Sequence, residues 1–299
     1  MATSGEADRA GEAWTIRRVI AWASEDLKKR GLSSPRLDVE LLLGLVLKMN
    51  RVQLIIDADR PLAKEELDRY KALHKRRRAG EPVAYLTGVR EFYGRVFHVD
   101  ARVLVPRPDT EILVETALAR TKHLSLSARV LDLCTGSGCV AISLGRERPT
   151  TRVVGVDISP GALALAQENA LRLGAVNVGF LAGDLFAPLG PPGRARFDLI
   201  TANPPYIPDG EIPTLQQDVR DFEPKLALAG GPDGLALVRR IAAEAPGYLE
   251  EGGSLALEVA SGQAPDVRDL LEKRGFRAIE IARDLGGHER VVSGIFGGG

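Results

Sequence analysis

Cysteine and histidine are scarce in this chain, two and four respectively among 299 residues. The two thiols, Cys134 and Cys139, cannot build a disulfide framework, and with so few histidines no metal site is expected. Both cysteines read as small packing residues in a reducing compartment. Net charge is missing too, with 40 Lys and Arg against 40 Asp and Glu. Proteins that grip duplex nucleic acid through its phosphates carry a basic excess, so direct duplex binding is not expected. The first 85 residues hold 17 basic and 13 acidic side chains, a mild surplus that suits an acidic partner and equally no partner. No apolar run is long enough to span a membrane. Glu6, Asp8 and Glu12 argue against a targeting leader. The expected setting is the cytoplasm, with an organelle matrix as the alternative.

What the chain does contain is Asn203-Pro204-Pro205-Tyr206 at the end of a short apolar run, Phe197 to Ala202. That run reads as a buried strand, and two prolines must end it because neither can donate to a ladder. An amide is thereby held at a strand's carboxyl end on backbone of fixed φ, with an aromatic ring just beyond. Such a site offers acceptors to a planar –NH2 group, a poor nucleophile that gains most from positioning. The bland alternative is a plain turn after a strand. A second motif upstream favours the catalytic reading.

That motif runs from Val130 to Ile142, an apolar strand entering Cys134-Thr135-Gly136-Ser137-Gly138 and then a helix. The glycines let backbone approach a ligand, and a helix start presents unpaired N–H groups. The next strand, Arg152 to Asp157, ends on an acid about 20 residues past the turn, where a ribose is held in dinucleotide folds. The turn is not G-x-G-x-x-G and no Walker lysine follows, so dinucleotides and nucleoside triphosphates lose ground. A shortened glycine turn with a ribose acid fits S-adenosylmethionine, which has a ribose and no phosphate. A third strand, Val178 to Ala182, leads into Gly183-Asp184-Leu185-Phe186. Asp184 is expected to accept from the adenine amine, and Leu185 or Phe186 to pack on the ring. Each acid alone is better read as a cap or solvated loop residue. The glycine turn and these two acids, at three successive strand ends, point to the crevice where doubly wound sheets bind ligands.

Residues 13 to about 78 have helical periodicity, with a stripe from Trp14 to Leu27, a start at Ser34-Pro35, and a helix from near Pro61 to the basic run Lys75 to Arg78. That run reads as a cation-rich helix terminus before a nucleic-acid patch. Glu91 to Val99 and Val103 to Val105 read as a hairpin. Asp109 or Thr110 is expected to cap the following helix, and strands then alternate with helices as in an α/β sheet.

Leu37 to Leu42, Tyr85-Leu86-Thr87-Gly88, Glu91 to Gly94, Leu104 to Glu111, the glycine turn, Asn203 to Ile207, Phe222-Glu223-Pro224 and Asp284 to Arg290 together carry a family likeness over nearly the full length. The chain resembles the protein-(glutamine-N5) methyltransferases of peptide chain release factors, the PrmC or HemK family. The resemblance implies a class I, Rossmann-like, seven-stranded S-adenosylmethionine-dependent methyltransferase domain preceded by a small all-helical domain. It implies a docking domain over residues 1–85, a hairpin linker over 86–108 and a catalytic domain over 109–299. Cys134, Thr135, Gly136, Ser137, Gly138, Asp157 and Leu185 would then contact the cofactor. Asn203 would touch cofactor and substrate, while Pro204, Pro205 and Tyr206 would hold a glutamine amide. The partner implied is a class 1 release factor methylated on the glutamine of its Gly-Gly-Gln loop, with S-adenosyl-L-homocysteine as the product. Cys134 stands where a glycine is common and Leu185 where an aromatic is common. The alternative is an amino-methyltransferase acting on adenine or guanine of DNA or RNA, with the same four residues on a flipped base. A further alternative, of a different class, is a cofactor-binding regulator without catalysis.

Overall fold

The computed structural model describes residues 13–124 and 127–297; Glu6, Asp8 and Glu12 lie outside them. Helical periodicity in the first part produces α1 (Ile16–Lys29), α2 (Pro35–Leu47), α3 (Arg51–Ile56), α4 (Lys64–Arg78) and α5 (Val83–Thr87). Thr15 caps α1 by accepting from Arg18 N, and Pro35 opens α2 with its φ already set. Ile16, Val19, Ala23 and Leu27 of α1 meet Val39, Leu42, Leu43 and Val46 of α2 in one core with Leu54 and Tyr70. The three arginines of the basic run at the end of α4 are spent on carboxylates: Arg76 on Glu81, Arg77 on the buried Asp38 at 2.7 Å, and Arg78 on Asp26. The short α3 was not expected from the sequence; Asn50 and Gln53 start it with a reciprocal capping box.

The chain divides after Thr87, and the second unit runs from Gly88. It opens with a hairpin, β1 (Val89–Phe92) and β2 (Arg95–His98). The hairpin differs from the one expected. Its turn falls at Tyr93-Gly94, with φ of 49° and 67°, and Val103 to Val105 forms no strand. Two positive φ values in a two-residue turn match the twist of the strands, and Tyr93 tolerates its own because its N–H donates to Glu111 Oε1 at 2.8 Å. The hairpin belongs with the sheet that follows, through the fully buried Asn169. That amide accepts from His98 N and donates to the carbonyls of His98 and Ser137.

After α6 (Glu111–Arg120) come β3 (Arg129–Leu133), α7 (Cys139–Glu147), β4 (Arg152–Asp157), α8 (Pro160–Arg172), β5 (Val178–Ala182) and β6 (Phe197–Ala202). Then follow α9 (Gln217–Phe222), α10 (Ala236–Glu244), β7 (Leu249–Glu258), α11 (Ala264–Lys273), β8 (Phe276–Arg283) and β9 (Glu289–Phe296). The seven-stranded sheet has the order β5-β4-β3-β6-β7-β9-β8, with β9 antiparallel to both neighbours. This is the Rossmann-like class I arrangement expected. Alternate residues serve opposite faces: Leu131, Ile200 and Leu255 pack with α10 and α11, while Val130, Leu199 and Ala256 pack with α6 and α7. The chain leaves β3 toward β4 on one side and returns to β6 on the other, so a crevice opens at the carboxyl ends of β3 and β6.

Candidate active site

Strand register places the candidate residues in a row. Leu133 of β3 pairs with Val156 of β4 and Ala202 of β6, Ala202 pairs with Leu257 of β7, and Asp157 pairs with Ala182 of β5. The next residue on each strand, or the strand's last, therefore reaches one edge: Cys134, Asp157, Asn203, Glu258, and Asp184 just past Gly183. That edge borders a cavity of about 310 Å³ lined by Cys134, Thr135, Gly136, Ser137, Asp157, Asp184, Leu185, Asn203 and Pro205, among others. The volume is at the lower end of the range for small-molecule sites.

The glycine turn is held from beneath. Thr135 Oγ1 donates to Asp132 Oδ2 at 2.6 Å and Thr201 Oγ1 to Asp132 Oδ1 at 2.8 Å. Burial pushes the Asp132 carboxyl up to about 6, against the lowering effect of those hydroxyls. Asp157 takes backbone N–H bonds on both oxygens, from Gly136 at 2.8 Å and Ser159 at 2.9 Å. It thus fixes the turn, and each oxygen keeps a lone pair for a ligand hydroxyl. Burial raises the Asp157 pKa. Gly138 does not line the cavity; with φ of 79°, a β-carbon there would meet Ile142 at 2.9 Å, so it serves turn and helix packing. Cys134 has φ of 57° and Leu185 φ of 49°, left-handed values that favour glycine. Burial drives the Cys134 thiol pKa upward, which leaves it protonated and unreactive.

Two adenine-side expectations meet a changed setting. Asp184 is engaged by Arg240 through both oxygens, at 3.2 and 2.8 Å, and the pair is half exposed. Phe186 turns away from the crevice and stacks on Tyr248, with centroids 4.6 Å apart. Leu185 alone of the two apolar candidates lines the cavity.

Around Asn203-Pro204-Pro205-Tyr206 the backbone is clamped. Gln263 Nε2 donates to the Tyr206 carbonyl at 3.0 Å, and a β-carbon on Gly234 would lie 2.2 Å from the same oxygen. Asn203 Nδ2 donates to Thr110 Oγ1 at 3.2 Å, which leaves Oδ1 as the acceptor end of the amide. Thr110 occupies the cap position of α6 yet makes no side-chain cap bond. Its hydroxyl serves Asn203 instead. Tyr206 is absent from the cavity lining, as is Pro204; the tyrosine hydroxyl donates to Glu258 Oε1 at 3.3 Å.

Thr110, Glu223, Glu258 and Gln263 were not singled out from the sequence as site residues. The signal for Glu258 was an acid closing the otherwise apolar Leu255-Ala256-Leu257. Among the described residues no group of His, Cys, Asp and Glu is arranged to hold a metal ion.

Residues 18–88 match the family described as PrmC N-terminal domain, and residues 124–271 match that described as Methyltransferase domain. A protein of Geobacter sulfurreducens named release factor glutamine methyltransferase is 46% identical over 286 residues, 96% of this chain and 98% of its own length. The chain belongs to the release factor glutamine methyltransferase family. A family member from Vibrio cholerae is 42% identical, covering 94% of this chain and 97% of its own length. A solved methyltransferase from Pyrococcus furiosus shares the fold of 69% of the chain, at 18% identity with a TM-score of 0.52 and 91% of its own length covered. Within the family frame, the segments that carried the resemblance converge in space. Arg107 meets Glu223, Thr110 meets Asn203, and Arg290 meets both Asp109 and Asp284.

Proposed function

We propose that this chain transfers the methyl group of S-adenosylmethionine to the side-chain amide nitrogen of the glutamine in the Gly-Gly-Gln loop of peptide chain release factors. The observation that carries the reading is the Asn203 amide at the topological switch point, its Nδ2 committed to Thr110 and its Oδ1 left to accept. Full-length likeness to release factor glutamine methyltransferases supports the substrate.

In this reading Cys134, Thr135, Gly136, Ser137, Asp157, Asp184, Leu185 and Asn203 hold the cofactor, with Asp157 on the ribose hydroxyls. Gly138 shapes the turn. Asn203 Oδ1 and the Pro204 carbonyl accept from the glutamine –NH2, Pro205 stiffens the segment, and Tyr206 buttresses it. The amide nitrogen attacks the methyl carbon in line with the departing sulfur. The N–CH3 bond forms as the S–CH3 bond breaks, the bonding pair goes to sulfur, and the sulfonium becomes the neutral thioether of S-adenosylhomocysteine. The alkylated nitrogen then releases a proton to water, so a strong base need not be present. Positioning supplies most of the acceleration.

The helical unit is assigned to docking of the release factor. Leu37, Leu41 and Leu45 recur at four-residue spacing along α2 and are 38–43% exposed, an apolar stripe of the kind a protein partner covers. The deciding assay offers labelled cofactor with release factor, tRNA, rRNA and DNA in parallel. Label on the release factor glutamine supports the reading, and label only on nucleic acid sinks it.

A further inference from the structure

A single carboxyl lies behind the proposed amide site with too few partners for its burial. Glu258 closes β7 at 1% exposure, next to the strand end that bears Asn203. Its Oε1 accepts from Tyr206 Oη at 3.3 Å, the Thr110 hydroxyl also bears on the carboxyl, and Oε2 has no hydrogen-bond partner among the described residues. Thr110, 2% exposed, in turn accepts from Asn203 Nδ2. We propose that Glu258 is a positioning residue for the methyl transfer, holding Tyr206 directly and orienting the Asn203 amide through Thr110.

The single proton of the Thr110 hydroxyl sets which way the Asn203 amide faces. Thr110 Oγ1 has one O–H and two lone pairs. When its proton points at Glu258, only acceptor capacity faces Asn203, which must then present Nδ2 to Thr110 and Oδ1 to the crevice. Remove the carboxylate and that proton is released toward Asn203. It now suits Oδ1, the amide flips, and –NH2 faces the –NH2 of the incoming glutamine. Donor opposite donor is repulsive, and the nucleophile loses its place. Tyr206 loses its anchor in the same change.

The groups facing Glu258 are Tyr206, Thr110, Asp109 and Arg290. Arg290 is spent on Asp109 at 2.9 Å and on Asp284 at 2.8 Å, so the carboxyl has no guanidinium of its own. Burial holds Glu258 up at about 7, with the two hydroxyls opposing the rise. The ionised form accepts from both hydroxyls; the protonated form competes with Asn203 for the Thr110 oxygen. The relay therefore engages as pH rises through about 7.

This inference rests on the proposed glutamine methylation. It is tested by kcat, KM and cofactor affinity of wild type, Glu258→Gln, Glu258→Ala and Thr110→Val on release factor, across pH 6 to 8.5. Expected is a kcat lower by on the order of 10- to 100-fold in Glu258→Gln, as for removal of groups that orient a reacting site. KM and cofactor affinity should stay near wild type, the thermal midpoint should not fall below it, and the rising limb near neutrality should disappear. Glu223→Gln, which removes the other glutamate raised toward 7, should keep that limb. Glu258→Gln preserves shape, so a misfolded alanine variant does not decide the matter. Wild-type kcat and pH profile in Glu258→Gln overturn the inference while leaving the methylation intact. A kcat loss matched by equal loss of cofactor affinity and stability also overturns it, since that marks a merely structural residue. Absence of transfer by the wild-type protein removes the proposed function and this inference together.

Discussion

Arg107 Nη2 donates to both carboxylate oxygens of Glu223 at 2.8 Å, across 116 residues of chain. Glu223 is buried and Arg107 one-third exposed, so the guanidinium stands between a desolvated acid and the cavity it helps line. Burial raises the Glu223 carboxyl to about 7, while Arg107 opposes the rise. With Arg290 on Asp109 and Asp284, this pair pins the loops around Asn203 to one another.

Arg107→Ala leaves that acid buried without its partner. Because the pair is partly solvated, the expected loss of stability is about 1–3 kcal/mol, short of that for a fully buried pair. Arg107→Ala with Glu223→Gln should recover most of it, since a neutral amide costs less to bury than an unpaired charge. Urea unfolding of both single variants and the double variant gives the coupling. Additive losses would show that the two side chains stabilise the fold independently.

Stability should fall as pH rises from about 4.5 to about 7. Glu223 and Glu258 both sit near 7 in the fold, raised by burial from 4.5. Below 4.5 both acids are protonated folded and unfolded, and the folded state bears no penalty. Between the two values the folded state binds more protons than the unfolded one, so each pH increment favours unfolding. Above 7 both are ionised and the cost of burying charge is complete, up to about 3 kcal/mol per group. The urea midpoint followed from pH 4.5 to 8 should decline in wild type, and less steeply in Glu223→Gln/Glu258→Gln. Equal slopes would mean that neither acid is neutral in the fold.

Asn203→Ala removes the acceptor proposed for the glutamine –NH2. The expected loss is roughly 10²-fold or more in kcat, as for one lost positioning contact, with far less effect on cofactor binding. Single-turnover rates with calorimetric cofactor affinity separate the two. Near-normal turnover would show that Oδ1 does not hold the nucleophile.

The sheet was legible because its strands read as unbroken apolar runs, in the largely buried β4 and β6 and also in the more exposed edge strand β5: the three lie where Arg152 to Asp157, Phe197 to Ala202 and Val178 to Ala182 suggested. The hairpin turn was not, because a left-handed Tyr93 depends on Glu111, eighteen positions on. Thr110 looks like a helix cap in sequence, and only the fold brings Asn203 to its hydroxyl. The site shows the same division. Asp157 and Asn203 were visible as polar ends of apolar strands. The role of Glu258 depends on the register of β6 against β7, which no local pattern encodes. The choice between Leu185 and Phe186 stayed open in the sequence because the stacking partner of Phe186, Tyr248, comes from a distant segment.

Leu41→Glu places a charge in the middle of the exposed stripe of α2, where Leu41 is 38% exposed. Surface position limits the effect on folding. If the stripe docks the release factor, KM for the intact factor should rise about tenfold, the cost of losing one buried leucine contact. Cofactor affinity should be unchanged, and so should methylation of a short peptide bearing the Gly-Gly-Gln loop. An unchanged KM for intact factor would assign the helical unit another purpose.

The sharpest demand falls on the substrate. Asn203 and Pro205 line a crevice whose proposed acceptors sit on rigid backbone, and Gln263 and Gly234 hold that backbone from behind. The acceptors cannot follow a nucleophile that stops short. A glutamine reaches the methyl carbon only when its own backbone comes close, which two flanking glycines permit. Replacing the loop glutamine by asparagine withdraws the nitrogen by one methylene, more than the ångström-scale misplacement that already costs about 10²-fold. Activity on the asparagine loop should therefore be lost almost entirely, while binding of the factor, measured without cofactor, persists. Mass spectrometry of the reacted loop decides: one added methyl on glutamine and none on asparagine is the expected result. Equal methylation of both loops would mean that the Asn203 amide does not set the reach of the substrate.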